Sequence, residues 1–129
     1  MEDDELLTAA RTAREWAYAP YSHYVVGAAL RTRTGKVYTG ANVENASFGL
    51  SICAERVAAF KAVMDGEREF EAIAIVTENG GSPCGACRQV LSEFGHHARI
   101  IVADLHGGRR EWSLSELLPD SFGPDDFAH

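Results

Sequence analysis

Within residues 5–16 the apolar positions Leu6, Leu7, Ala10 and Ala13 recur at helical spacing, continued by Ala17. Side chains three or four residues apart share one helix face, so this spacing predicts a first helix, stopped by Pro20. Residues 24–32 (YVVGAALRT) are apolar and β-branched, as a strand prefers, and TRTGK at 32–36 offers a turn into a second strand at 37–43. That pair reads as a hairpin. Ala54, Val57, Ala58, Ala62 and Val63 mark another helical surface within residues 53–63, with Gly66 as its stop. AIAIVT at 72–77 is a short unbroken apolar run, the pattern of a strand buried on both faces. The loop ENGGSP leads to Pro83, and residues 85–94 read as a helix stopped by Gly95. Residues 100–103 and 111–114 bracket DLHGGRR, a hairpin turn around Gly107 and Gly108.

The order is therefore helix, two strands, helix, strand, helix, two strands and a short helical tail. A five-stranded sheet with helices on both faces buries these elements as one core, an α/β class of fold. The 129 residues suit a single domain, 1–129, and are too few for two ordinary ones. No repeat, linker or low-complexity segment interrupts them.

A formal net charge of -7 argues against a nucleic-acid groove, which needs a basic footprint, and is compatible with a small neutral substrate. No apolar stretch approaches about 18 residues, and MEDDELL is acidic where a secretory leader is basic. The expectation is a cytoplasmic protein with no membrane partner. Three cysteines, an odd count, suit reduced thiols used as ligands better than a disulfide framework.

Those cysteines carry the chemistry. Cys53 in CAER (53–56) begins one helix, while PCGACRQ (83–89) puts Cys84 and Cys87 in the first turn of another, on one face. Backbone N–H groups at helix starts favour thiolates, and a sulfur-rich site suits zinc. A lone CxxC also serves redox pairs and structural half-sites. A closed structural site needs a fourth ligand, and His23, His96, His97, His106 and His129 keep no regular ligand spacing to the cysteines. Cys53, with Glu55 two residues on, points instead to an open hydrolytic site, where catalytic zinc brings the pKa of a water to about 7.

Glu55 is the candidate proton carrier; its alternative is a solvated first-turn carboxylate. Three thiolates outweigh a divalent cation and oppose acidification of water. Arg56 is the candidate to offset this by charge-assisted hydrogen bonds to the sulfurs, with a surface ion pair as the alternative. Arg88 has the same two readings. On its own, the stretch 42–45 reads as a polar turn, structural or functional.

CAER and PCGACRQVL (83–91) resemble the zinc-dependent cytidine deaminases of nucleoside salvage, the small homotetrameric class. The likeness extends to PYSHYVVGAAL (20–30), NVENASFGL (42–50) and LLPDSFGP (117–124). It implies a three-layer α/β/α fold with a five-stranded mixed sheet, and one Zn2+ per subunit on Cys53, Cys84 and Cys87. It further implies hydrolytic deamination of cytidine and 2′-deoxycytidine, with Glu55 moving protons between the attacking water, N3 and the leaving amine. Asn42 and Glu44 would hold the ribose hydroxyls, Ala54 would offer backbone hydrogen bonds to the pyrimidine, and Tyr24 would lie against or near the base. Family members commonly carry phenylalanine where Tyr24 stands, so the extra hydroxyl needs a partner or a solvent path if buried. Phe122 is similar to an aromatic that reaches into a neighbouring subunit's pocket; its alternative is a core anchor for the tail. The resemblance thus implies a homotetramer whose active sites are completed by neighbours. ENGGSP is shorter than in many members, which is expected to leave the ligands in place but alter the pocket rim or an interface. The competing readings are deamination of a nucleoside-like antibiotic such as blasticidin S, editing of a polynucleotide, and a zinc-stabilised scaffold with a fourth protein ligand.

Overall fold

The computed structural model of the chain describes residues 2–127, so His129 lies outside the described residues. Helix α1 (Asp3–Ala13) begins three residues before the first position of its apolar pattern, Leu6. Asp3, Asp4 and Glu5 occupy the first turn, where carboxylates face the positive end of the helix dipole. Its last turn tightens into a 3-10 turn over Arg14–Trp16.

Five strands follow in the chain: β1 (Gly27–Thr32), β2 (Val37–Ala41), β3 (Phe70–Val76), β4 (Arg99–Ala103) and β5 (Arg109–Ser113). They form one sheet in the order β2-β1-β3-β4-β5, with β3 and β4 parallel and every other pair antiparallel. The expected mixed five-stranded sheet is present. Alternation along β3 explains its two buried faces. Ile73 and Ile75 join Leu30, Ile100 and Val102 on the side of helices α2 (Ala54–Met64) and α3 (Gly85–Gly95). Ala72, Ala74 and Val76 face the opposite way, where Leu6 and Ala10 of α1 pack. The result is three layers, α1 on one face and α2 with α3 on the other.

Both β2 and β3 run antiparallel to β1, so they point in one direction. The helices that follow them, α2 and α3, therefore begin at the same end of the sheet, outside the strands' carboxyl ends, where open α/β sheets place ligands. Helix α2 sits unusually close to its strand. A Cβ at Gly40 of β2 would lie 2.4 Å from the Ala54 carbonyl oxygen and 2.6 Å from the Ala58 nitrogen. Only a residue without a side chain allows that approach, and Ala54, Ala58, Ala59 and Ala62 complete the contact.

Two strands are shorter than the apolar pattern suggests, and Asn42 is the cause. Its Nδ2 donates to the Tyr24 carbonyl at 2.8 Å, and the Val26 N–H donates to its Oδ1 at 2.9 Å. The side-chain amide replaces ladder bonds there, so β1 begins at Gly27 and β2 ends at Ala41. At the other end of the fold, β5 stops at Ser113 because that residue caps α4 (Leu114–Leu117) in a reciprocal box with Glu116. Among the described residues, no helix is long and apolar enough to cross a membrane.

Candidate metal centre and adjoining cavity

Cys53 is the N-cap residue of α2 and Cys84 that of α3, while Cys87 lies buried in the first turn of α3. The three sulfurs lie within 4.8 Å of one another, and Cys53 and Cys84 are 3.9 Å apart. Tetrahedral zinc with Zn–S bonds of about 2.3 Å spaces its sulfurs by about 3.8 Å, so the cradle matches the ion in both donor softness and span. Among the described residues no histidine or carboxylate joins this group. A fourth protein ligand, which a purely structural zinc site requires, is therefore absent from it.

The charges around the sulfurs are arranged asymmetrically. The Cys87 thiol donates to Cys53 and Arg56 stands beside it, which together pull the Cys53 thiol down to about 5. The same hydrogen bond, with burial, pushes Cys87 up. Arg56 Nη2 donates to the Cys53 sulfur at 3.4 Å, and its buried Nε has no hydrogen-bond partner among the described residues. Arg56 thus faces the sulfurs and is not a surface ion pair. Arg88 behaves differently: its Nε donates to the Pro83 carbonyl at 2.7 Å, Nη1 to the Leu117 carbonyl at 2.9 Å and Nη2 to Ser82 Oγ at 3.1 Å. It braces the entry to α3.

Glu55 is only 5% exposed, which excludes the solvated first-turn carboxylate. Burial pushes its carboxyl up to about 7, with the Cys53 charge acting in the same direction against its own backbone N–H. A group poised there holds and releases a proton near neutrality. Glu55, Cys53 and Cys84 open on a cavity of about 450 Å³, a size typical of small-molecule sites.

Asn42, Glu44 and Tyr24 line the same cavity. The segment that carries the first two is strapped from both sides: Val43 pairs with Ile52 at 2.9 and 3.0 Å, and Tyr18 bonds Asn42 and Glu44 at 2.9 and 2.8 Å. Asn42 spends half its amide on the 24–26 backbone and keeps one N–H and one lone pair. Glu44 Oε1 accepts from the Tyr21 and Ser22 N–H groups at 3.0 and 3.1 Å, and Ser22 donates its hydroxyl to Oε2. These donors, the Ser22 hydroxyl foremost, hold the Glu44 carboxyl below the usual carboxylate range. The Tyr24 hydroxyl has its partner in Asn79 Oδ1 at 2.7 Å.

Two expected site residues do not themselves line the cavity. Ala54 is fully buried between Cys53 and Glu55, which line the cavity, and only its backbone is chemically relevant; as the first residue of α2 its N–H has no acceptor within the helix. Phe122 is 59% exposed and does not line the cavity. Its carbonyl accepts from Gln89 Nε2 at 2.9 Å, and its ring meets Phe127 edge-on at 5.4 Å. That degree of exposure rules out the core-anchor alternative. Ser22 and Asn79 were not legible as site residues, since each acts on a partner far along the chain and neither sits in a spacing that signals it.

The family model of the cytidine and deoxycytidylate deaminase zinc-binding region matches residues 1–103. A cytidine deaminase of Halalkalibacterium halodurans is 47% identical over 129 residues, covering 98% of this chain and 98% of the relative. One of Sporosarcina psychrophila is 43% identical over 132 residues, covering 100% and 97%. The crystal structure of a cytidine deaminase from Burkholderia pseudomallei, 50% identical, superposes with a TM-score of 0.91 over 95% of this chain and 100% of its own. The span matched by the family model takes in four of the five strands and both cysteine-bearing helix starts, and the chain belongs to the cytidine and deoxycytidylate deaminase zinc-binding family.

Proposed function

We propose that this deaminase acts on cytidine and 2′-deoxycytidine, converting them to uridine and 2′-deoxyuridine with release of ammonia. The observation that carries the reading is the buried Glu55 carboxyl sharing one cavity with Cys53 and Cys84 of the three-cysteine cradle and with Asn42 and Glu44. Zinc, when held by Cys53, Cys84 and Cys87, supplies Lewis acidity and brings the ionisation of water near neutral pH.

The chain's own groups do the rest. Glu55 takes a proton from the attacking water and delivers it to N3 of the pyrimidine, then carries the remaining hydroxyl proton to the C4 amine, which leaves as ammonia. Arg56 offsets the charge of the thiolates, so the ion keeps its Lewis acidity. Glu44, ionised and already oriented by Ser22, accepts from a ribose hydroxyl, and the unspent half of the Asn42 amide completes the sugar contact. The Ala54 backbone bonds the pyrimidine edge and the Tyr24 ring lies against or near the base.

The active unit in this reading is one domain, 1–129, acting in the cytoplasm, where its three free thiols stay reduced. It assembles as a homotetramer in which Phe122 enters a neighbour's cavity. Support comes from the exposure of Phe122 and from Phe48, a cavity-lining side chain that is 76% exposed in the isolated chain. The deciding experiment is a parallel turnover assay of freshly purified protein on cytidine, deoxycytidine, blasticidin S and a single-stranded oligonucleotide, with metal analysis. Turnover of both free nucleosides by zinc-loaded protein is expected. Activity confined to blasticidin S or to the oligonucleotide overturns the substrate assignment.

A further inference from the structure

The loop at 78–83 joins β3 to α3, brings Gly81 and Ser82 to the cavity and ends just before Cys84. With no regular structure, it is held by side chains. The buried Thr77 hydroxyl accepts from the Gly80 and Gly81 N–H groups at 2.7 and 3.1 Å, and Asn79 Oδ1 accepts from the Gly81 N–H at 3.2 Å. Arg110 Nη2 donates to the Gly80 carbonyl at 2.6 Å, and Arg88 holds Ser82 and Pro83. These tethers come from the loop itself, the end of β3, α3 and β5.

Tyr24 comes from a different wall. Its carbonyl accepts from Asn42 Nδ2 at 2.8 Å and its N–H donates to Ser22 Oγ at 3.0 Å, the same hydroxyl that donates to Glu44. Its own hydroxyl donates to Asn79 Oδ1 at 2.7 Å. One hydrogen-bonded chain therefore runs from Glu44 through Ser22, Tyr24 and Asn79 to Gly81. The end of that chain is sterically tight, since a Cβ at Gly81 would stand 2.8 Å from the Tyr24 hydroxyl oxygen.

We propose that the Tyr24 hydroxyl latches the loop 78–83 to the segment bearing the sugar-facing pair, so that Tyr24 and Asn79 act as positioning residues that set the cavity's width. The proposal rests on the reading of this cavity as the nucleoside site. It concerns the hydroxyl and not the ring, which a phenylalanine would also supply. Cys84 does not depend on the latch, because Arg88 independently holds Pro83. Loss of the latch therefore loosens a wall and leaves the cradle in place.

The test is Tyr24→Phe, which keeps the ring and removes one neutral hydrogen bond. KM for cytidine is expected to rise about threefold to tenfold, with kcat and zinc content held and amide exchange at Gly81 faster. Asn79→Ala should raise KM in the native background and add little in the Tyr24→Phe background, while Asn79→Asp, which retains the acceptor, should stay near the native value. Gly81→Ala should be less harmful in Tyr24→Phe than in the native protein, because the atom it meets is gone. Unchanged KM and unchanged exchange in Tyr24→Phe overturn the latch, as do additive effects of Tyr24→Phe and Asn79→Ala. A loss confined to kcat overturns it too, by placing the hydroxyl at the reacting atoms. Should the native protein turn over no nucleoside, the substrate reading falls, and the exchange measurement alone decides the latch.

Discussion

Glu55 and Glu44 open on one cavity, yet their surroundings push them apart: burial raises the first to about 7, and the Ser22 and Tyr21 donors lower the second. In the proposed function the two carboxyls separated in this way divide the work, Glu55 carrying protons and Glu44 staying an ionised acceptor. Replacing Glu55 by alanine should lower kcat by about 10²–10⁴-fold while zinc content is retained. Near-normal turnover by that variant would remove Glu55 from the proton pathway. Arg56 Nη2 donates to the Cys53 sulfur, and if that bond tunes the metal site as proposed, Arg56→Ala should weaken zinc binding by about 10–100-fold, read by competition with a chromophoric chelator. At this scale the residue types were readable from CAER and PCGACRQ, but burial was not: the helix dipole favours a first-turn glutamate whether it is solvated or buried, and only packing removed Glu55 from water.

Among the elements, α2 matters most, because Cys53 caps it and its first turn carries Glu55. Its seat on β2 depends on Gly40, where a Cβ would meet the Ala54 carbonyl oxygen at 2.4 Å. Gly40→Ala should cost about 1–3 kcal/mol in a denaturant melt and weaken zinc retention with it, since the backbone it meets belongs to the ligand-bearing turn. Gly49→Ala, with nothing within 4 Å of the new methyl, is the control and should change stability by less than about 0.5 kcal/mol. If Gly40→Ala melts like the control, the close seat is not what positions α2. Helix and strand identities followed from periodicity, whereas the ends of β1 and β2 did not. Those ends depend on Asn42, whose amide displaces ladder bonds from sixteen and eighteen residues away.

Across the whole molecule, Asp3 ties the start of α1 to β4 through Arg99, with Nη1 donating to Oδ1 at 3.2 Å and Arg31 and Arg109 nearby. The Arg99 hydrogen bond holds the Asp3 carboxyl below its usual value. A depressed folded value means stabilisation that is complete above the unfolded pKa of about 3.9 and is lost as pH falls through the folded one. Asp3→Asn should therefore lower stability at neutral pH, by roughly 0.5–1 kcal/mol given the partial exposure of Arg99, and the gap to the native protein should close in acid below about pH 4. A gap that persists at acid pH would assign the effect to packing. At the scale of the assembly, a mixture of Glu55→Ala and Phe122→Ala chains, unfolded and refolded together, should recover activity above either variant alone. In the proposed homotetramer, hybrids would contain sites with a native glutamate beside a neighbour's native phenylalanine. No recovery would place Phe122 outside the partner's site.

Local order decided the element types, the two cysteine-bearing helix starts and the presence of a carboxyl two residues after Cys53, because helical and strand periods depend on neighbours in the chain. Tertiary structure decided what those residues experience. Cys53 and Cys84 are 31 residues apart and meet only because β2 and β3 point the same way and deliver both helix starts to one end of the sheet. Tyr24 and Asn79, 55 residues apart, are joined by the same topology. Desolvation and long-range hydrogen bonds depend on which surfaces the sheet order brings together, and no spacing along the chain records that.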